Sequence, residues 1–286
     1  MQKYRLLREA IEAQGWAARA AIELGQWQLR PAPQAERYDI EIAHDPIYCE
    51  GVFSGSLDAA MVRRIGFPWS PELLRRSLTT VGGCLAGSRS ALKTGFSAHL
   101  AGGTHHAMRA AGEGYCVFND QAVAALSLLK SQEVSRVAIL DCDVHQGNGT
   151  AEILNGTPAV LICDIFCQAN FPFRKELPQN AFALEPNCGD GPYLEALDRA
   201  LGVIEEFRPG ILLYQMGVDG LKHDRLGKMN LSFDGLMTRD QKVFEFCQRT
   251  SLPVSLALGG GYSDPIDHSV QAALNTFRVA RTHWGS

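Results

Sequence analysis

Five short apolar runs constrain this chain more than any other feature of it. They are Ser97–Ala101, Val137–Leu140, Ala159–Cys163, Ile211–Met216 and Val254–Leu258. Each gives way to a polar loop, and most of these loops lead into a helical pattern. Ser97–Ala101 leads through GGTHHAMRAAGEGYCVFND to a helix capped by Asn119 or Asp120 and running to Lys130. Val137–Leu140 leads to a short helix over Thr150–Leu154. Ala159–Cys163 leads through an aromatic loop around Phe166–Phe173 to a helix opened by Asp190 and Pro192 and ending near Phe207. After Ile211–Met216, Thr238 is read as the cap of a helix reaching Arg249. After Val254–Leu258 comes GGGYSD, then a helix from Pro265 to Thr282. Strand, loop and helix in this alternation specify an α/β domain with a mainly parallel central sheet flanked by helices.

The N-terminal part is less regular. Tyr4–Gln14 reads as a helix, with Tyr4, Leu7 and Ile11 at helical spacing and Gly15 as its stop. Trp16–Arg37 begins as helix-like and is broken by Pro31 and Pro33. Tyr38–Tyr48 reads as irregular, residues 30–60 as the least regular part, and His44 as a structural or surface histidine. A clean helix follows, with Ser70 as cap, Pro71 in the first turn, Glu72 beside it and Gly95 as stop. Its small residues Gly82, Gly83, Ala86 and Gly87 predict close packing on that face. No linker or repeat divides the chain, so residues 1–286 read as one domain.

Composition narrows the functional classes. The net charge is −4, with no long run of one sign, which weighs against a phosphate-tracking nucleic-acid surface. No apolar segment approaches membrane-span length. The start, MQKYRLLREAIEAQG, is too charged for a signal-peptide core. The 8 cysteines form no CxxC pair and read as reduced thiols used in packing. A cytoplasmic protein is expected.

The chemistry lies where the runs end. In open parallel sheets ligands bind beyond the carboxyl ends of the strands. His105 and His106 follow the first run, Asp141, Asp143 and His145 the second, Asp219 the fourth and Tyr262 the fifth. Four loops on one sheet edge can therefore converge on one pocket. Asp141, Asp143 and His145 alternate and share a face of an extended chain, with Cys142 turned away. Carboxylate with imidazole suits zinc or a similar divalent ion. Asp143, His145 and Asp219 could supply three ligands and leave a position open for water and substrate. The pair His105–His106 suits proton transfer, and Asp141 and Asn148 are candidates for setting the tautomers. Tyr262, on a glycine-rich turn, could donate to a developing oxyanion. Together these describe a metal-assisted hydrolase of an amide or ester. No single piece is specific. Gly259–Gly261, for instance, lacks the Lys-Ser/Thr ending of a phosphate loop.

The set of motifs is specific. GGTHHA (102–107), GYCVFND (114–120), LDCDVHQGNGT (140–150), GVDGLKHDRLG (217–227) and LGGGYS (258–263) resemble, in order, the motif series of the zinc-dependent histone deacetylase family. WSPELLRRSLTTVGG and HDRLGKMNLSFDGLMTRD look most like its class IV-type and bacterial deacetylase-like branch. The resemblance implies an arginase/deacetylase-like fold and one Zn2+ on Asp143, His145 and Asp219, ligands that also suit Fe2+. It implies His105, paired with Asp141, and His106, partnered by Asn148, as the proton-transfer pair, with His106 as the base. It implies Tyr262 as the group polarising the carbonyl. Gly114 and Tyr115 would line an acyl-lysine tunnel, with Phe171, Leu226, Gly260 and Gly261 as further contacts. It implies a structural K+ near Asp141, Asp143 and His145, with Asp164 a further ligand. The substrate would be an acylated lysine peptide or a small acylated amine.

The chain departs from the pattern in places. Asn148 stands where many members have Asp, and Tyr115 replaces the usual Phe. MQKYRLLREA resembles a segment that normally follows a first strand, so residues 1–40 read as shortened relative to the family. An arginase-like ureohydrolase with two manganese ions would show a DAHxD motif and a second aspartate cluster, and Val144–Gln146 and Asp219–Gly220 do not supply them. A silent acyl-lysine binding module would be expected to lack a ligand or the tyrosine, and both are present.

Overall fold

The computed structural model describes residues 2–18 and 26–285. The chain begins with α1 (Gln2–Ala13), followed by two-residue strands β1 (Ala17–Ala18) and β2 (Trp27–Gln28), which pair in parallel. The helix-like reading from Trp16 is therefore corrected at both ends of that stretch, and its part over residues 19–25 lies outside the described residues. Three short helices come next: α2 (Arg37–Ile40), α3 (Pro46–Ser54) and α4 (Ala59–Ile65). Residues 29–36 are irregular as expected, and from Arg37 onwards capped helical turns replace the expected irregularity. Asp45 accepts from the Ile47 and Tyr48 amides, Asp58 accepts from the Met61 amide, and Gly55 and Gly66 end the helices with positive φ. Such caps satisfy the free amides of a first turn and so sustain helices too short to show a periodic pattern.

Helix α5 (Pro71–Thr94) is capped by Ser70, whose hydroxyl accepts from the Leu73 amide, and stops at Gly95, as its sequence predicts. Its glycines serve close packing. A Cβ at Gly82 would lie 2.3 Å from the Pro33 carbonyl oxygen, and one at Gly83 would lie 2.3 Å from the His99 ring. The chain then runs through β3 (Phe96–His99), α6 (Asp120–Lys130), β4 (Val137–Asp141), α7 (Asn148–Leu154), β5 (Val160–Cys167), β6 (Asn180–Leu184) and α8 (Asp190–Phe207). It ends with β7 (Ile211–Met216), α9 (Phe233–Thr250), β8 (Val254–Leu258) and α10 (Asp267–Trp284).

Strands β3 to β8 form one sheet in the order β3-β8-β7-β4-β5-β6, parallel throughout. Its carboxyl ends therefore share one edge. Alternate residues feed two cores. Ala138, Leu140, Leu212 and Tyr214 face α8, α9 and α10, whereas Val137, Ile139, Ile211 and Leu213 face the side of α5 and α6. Burying each large aliphatic side chain contributes roughly 1.5–3 kcal/mol, and burial on both faces is why these strands read as unbroken apolar runs.

Two boundaries differ from expectation. Strand β5 runs on to Cys167, so Phe166 is a buried strand residue, and β6 is an added strand that the residue pattern does not announce. As an edge strand β6 is only partly buried, and it carries little apolar pattern. Helix α9 starts five residues before Thr238. Ser232 is its cap, accepting from the Gly235 amide, while the Thr238 hydroxyl bonds back to the Asp234 carbonyl inside the helix.

Candidate active site

The ends of β4, β7 and β8 and the loop after β3 meet at one point. Among the described residues, Asp143, His145 and Asp219 form the group whose ligand atoms come close enough to hold a metal ion, all within 4.8 Å of one another. His145 Nδ1 lies 3.0 Å from Asp143 Oδ1 and 3.1 Å from Asp219 Oδ2. The outer carboxylate oxygens are held by backbone. Gly260 N–H donates to Asp143 Oδ2 at 2.5 Å, and Val144 N–H to Asp219 Oδ1 at 2.9 Å. The walls are glycines. A Cβ at Gly260 would fall 1.7 Å from Asp219 Oδ2, and one at Gly259 would fall 2.8 Å from Asp143 Oδ2. Burial pushes the Asp219 carboxyl up to about 7, with Asp143 adding to it. For His145, burial opposes the charge, but the bonds to Asp143 and Asp219 outweigh it and raise the pKa to about 10. Two buried carboxylates this close call for positive charge between them. The donor set, its hydrogen-bonded backing and its glycine cradle all fit a divalent cation.

The histidine pair sits beside this group, both rings buried and their centroids 4.1 Å apart. His105 Nδ1 is 2.7 Å from Asp141 Oδ2, and His106 Nδ1 is 2.8 Å from Asn148 Oδ1. Asp141 also accepts from the Asp143 amide at 3.0 Å, so one residue backs both the histidine and the carboxylate. The different partners separate the two rings electrostatically. Burial disfavours charge on His105, but the Asp141 carboxylate raises its pKa to about 9. Burial, reinforced by His105, holds His106 well below the usual histidine range. One ring is thus disposed to carry charge and the other to stay neutral.

Tyr262 follows the glycine turn and is 39% exposed. Partial desolvation of its phenol, with the Asp143 and Asp219 carboxylates, pushes that group well above the usual range, so it keeps its proton. Asp224 anchors the turn: Oδ2 accepts from the Tyr262 amide at 2.6 Å, and Oδ1 from the Leu226 and Gly227 amides, both at 2.9 Å. Lys3 donates to the Gly259 carbonyl at 2.7 Å and lies 5.3 Å from the Tyr262 ring centre. Neither Asp224 nor Lys3 stood out in the sequence. Asp224 lies inside the DRLG stretch and could have been found there; Lys3 is 256 residues from its partner.

The expected wall residues divide into two sets. Gly114 and Phe171 lie against His106: the Phe171 ring centre is 4.9 Å from that of His106, and a Cβ at Gly114 would meet both rings. Tyr115, at φ 68° and 55% exposed, leans outward onto Phe67 and Gly66. Leu226 is also at the surface, its carbonyl held by Asn170 at 2.7 Å. Gly261, at φ 151°, has Val218 where a side chain would go. Asp164 is buried beside Asp141, with Oδ1 unpartnered. His44 is structural. It lies 2.9 Å from the Met108 carbonyl through Nδ1 and accepts from the Asn119 amide through Nε2.

Residues 1–277 match the sequence model of the histone deacetylase domain. The chain belongs to the histone deacetylase family. It is 36% identical over 282 residues to an uncharacterized protein of Picosynechococcus sp., covering 98% of this chain and 92% of that one. It is 30% identical over 240 residues to histone deacetylase 2 of Arabidopsis thaliana, which covers 80% of this chain and 62% of the plant protein. Among solved structures, a histone deacetylase homologue in complex with SAHA gives a TM-score of 0.81 at 23% identity, covering 96% of this chain and 77% of that one. Acetylpolyamine aminohydrolase from Burkholderia pseudomallei gives 0.78 at 20%, covering 97% and 89%. At these identities the structures show the shared fold. As a family member the chain is a deacetylase-type hydrolase, and its buried Asp–His–Asp group is one that could bind a metal ion. No helix among the described residues is long and apolar enough to cross a membrane.

Proposed function

We propose that this histone deacetylase family member hydrolyses the amide of an N-acyl amine, an acylated lysine or a small acylated amine, using one zinc ion on Asp143, His145 and Asp219. The observation that carries this is the pairing of two buried histidines with unlike partners, His105 with Asp141 and His106 with Asn148, directly beside a buried Asp–His–Asp group. A divalent ion there would supply Lewis-acid polarisation of the acyl carbonyl and activation of water, and Fe2+ would serve the same ligands. His106, neutral and with Nδ1 engaged by Asn148, takes the proton of the attacking water through Nε2 and returns it to the leaving amine nitrogen as the C–N bond breaks. His105, held by Asp141, carries positive charge that favours developing negative charge nearby. Tyr262, protonated, donates to the carbonyl oxygen as it gains charge.

Gly114, Phe171, Gly260 and Gly261 form the narrow part of the acyl-amine channel, with Tyr115 and Leu226 at its mouth. Supporting this are the contacts of Gly114 and Phe171 with His106. A K+ ion is inferred beside Asp141, Asp143, His145 and Asp164, supported by the buried, unpartnered Asp164 Oδ1. A reducing, cytoplasmic setting is inferred from eight free cysteines, seven of them buried.

The test is acid release from N-acyl-lysine peptides of increasing acyl length and from an acetylated polyamine. Zinc-loaded protein is expected to release acid from at least one, to lose the activity with a chelator and to regain it with zinc. Silence on the whole series would reject the reading.

A further inference from the structure

Asn148 raises a question of orientation. An amide side chain can present either its oxygen or its NH2 to a histidine, and the two choices impose opposite tautomers. Asn148 is buried, 1% exposed, and its side chain reaches two groups. Oδ1 faces His106 Nδ1 at 2.8 Å, and Nδ2 faces Glu113 Oε2 at 3.0 Å. A carboxylate only accepts, so Glu113 requires the NH2 on its side and leaves the oxygen for His106. His106 must then carry its hydrogen on Nδ1, and Nε2 keeps the free lone pair.

Glu113 is itself held. Arg64 on α4 lies 3.3 Å from its carboxylate through both Nε and Nη2. The backbone fixes the same place. Glu113 and Cys116 exchange two hydrogen bonds around Gly114 and Tyr115, both at positive φ, closing a tight hairpin turn. The Gly114 and Tyr115 amides donate to the Arg64 and Ile65 carbonyls at 3.3 and 2.8 Å. One turn thus places a wall glycine, a rim tyrosine and this carboxylate together.

We propose that Glu113 is a positioning residue for His106: clamped by Arg64, it orients the Asn148 amide and so sets the His106 tautomer that leaves Nε2 unprotonated. The negative charge that an aspartate at position 148 would place next to the histidine sits one hydrogen bond further back. Without Glu113 the amide can turn over and offer NH2 to Nδ1, which drives the hydrogen to Nε2, the atom needed as the base. The inference rests on the proposed role of His106, but its structural content, the tautomer, can be read without turnover.

The experiment uses zinc-loaded protein labelled with 15N-histidine, with the His106 signals identified by their loss in His106→Ala. Wild type is expected to show His106 as the Nδ1–H tautomer, and Glu113→Ala to show a mixture or the Nε2–H form. Glu113→Gln, whose amide oxygen can still accept from Asn148, is expected to lie between them. In turnover, Glu113→Ala should lower kcat about tenfold with KM little changed, the size expected for one hydrogen bond to a charged group. The double mutant gives the sharpest reading. Asn148→Asp alone sets two carboxylates face to face, and Glu113→Gln should partly rescue it although it harms the wild type. An unchanged tautomer in Glu113→Ala, or effects of Asn148→Asp and Glu113→Gln that simply multiply, would overturn the proposal. If wild type released no acid from any acyl amine, the proposed function would fall, while the tautomer measurement would still decide the role of Glu113.

Discussion

The Gly260 amide donates to Asp143 Oδ2 at 2.5 Å, joining two loops 117 residues apart. Through this bond the turn that carries Tyr262 and the first carboxylate of the metal-capable group share one geometry. Gly260 is confined by what surrounds it, since a Cβ there would fall 1.7 Å from Asp219 Oδ2 and 3.0 Å from Asp143 Oδ2. Gly260→Ala must displace both carboxylates. Zinc affinity is expected to fall about 10- to 100-fold, read by competition with a chromophoric chelator. Unchanged affinity would exclude these carboxylates as ligands.

Ligands and proton-handling groups should separate cleanly. Asp143→Ala is expected to lose bound zinc on elemental analysis. His106→Ala and Tyr262→Phe are expected to retain one ion per chain while kcat falls on the order of 10²–10³-fold. Loss of zinc from all three variants would mean that the histidine and tyrosine serve the ion and not the reaction.

Asp224 holds three amides of the Leu226–Tyr262 neighbourhood and touches neither histidine. Asp224→Ala leaves those amides without their charged acceptor. Turnover is expected to fall roughly 10- to 100-fold, since hydrogen bonds to charged groups contribute about 1.5–3 kcal/mol. Zinc content should stay at wild-type level. Full activity would show that the tyrosine turn holds its own shape.

His44 sets a pH dependence of stability. Burial depresses its folded pKa to about 4, from 6.5. Below pH 6.5 the unfolded chain takes up a proton that the folded chain refuses. The contribution of His44 is therefore complete above pH 6.5 and is lost as pH falls towards about 4, to a total of roughly 3 kcal/mol. Urea titrations over that range should show wild type losing more stability than His44→Gln, which has no proton to gain. Equal losses would show that His44 does not titrate as its burial implies.

Several features could be read from residue pattern because they depend on neighbours a few positions away. The apolar runs that became β4 and β7 alternate between two cores, and that of β8 is also buried along its whole length, with Val254, Leu256 and Leu258 in one core and Ser255 against Ser88 of α5 on the other face. Ser70, Pro71 and Gly95 bound α5 through local backbone bonds. Asp143, His145 and Asp219 could be proposed together because parallel strands bring their carboxyl ends to one edge. The short helices α2 to α4 and the edge strand β6 were not legible, being too short or too exposed to show a period.

What the order of residues determined is the α/β architecture, the edge on which the chemistry lies, and the residue types that meet there. The motif series also implied that Asp141 goes to His105 and Asn148 to His106, and the folded chain places them so. Partners outside the motifs were decided only by the folded chain: Glu113 meets the Asn148 amide, and Lys3 braces the turn before Tyr262. The physical reason is that a hydrogen bond is specified by a few tenths of an ångström and an angle. Residue spacing says that two side chains lie at the same sheet edge, and only packing sets which oxygen faces which nitrogen.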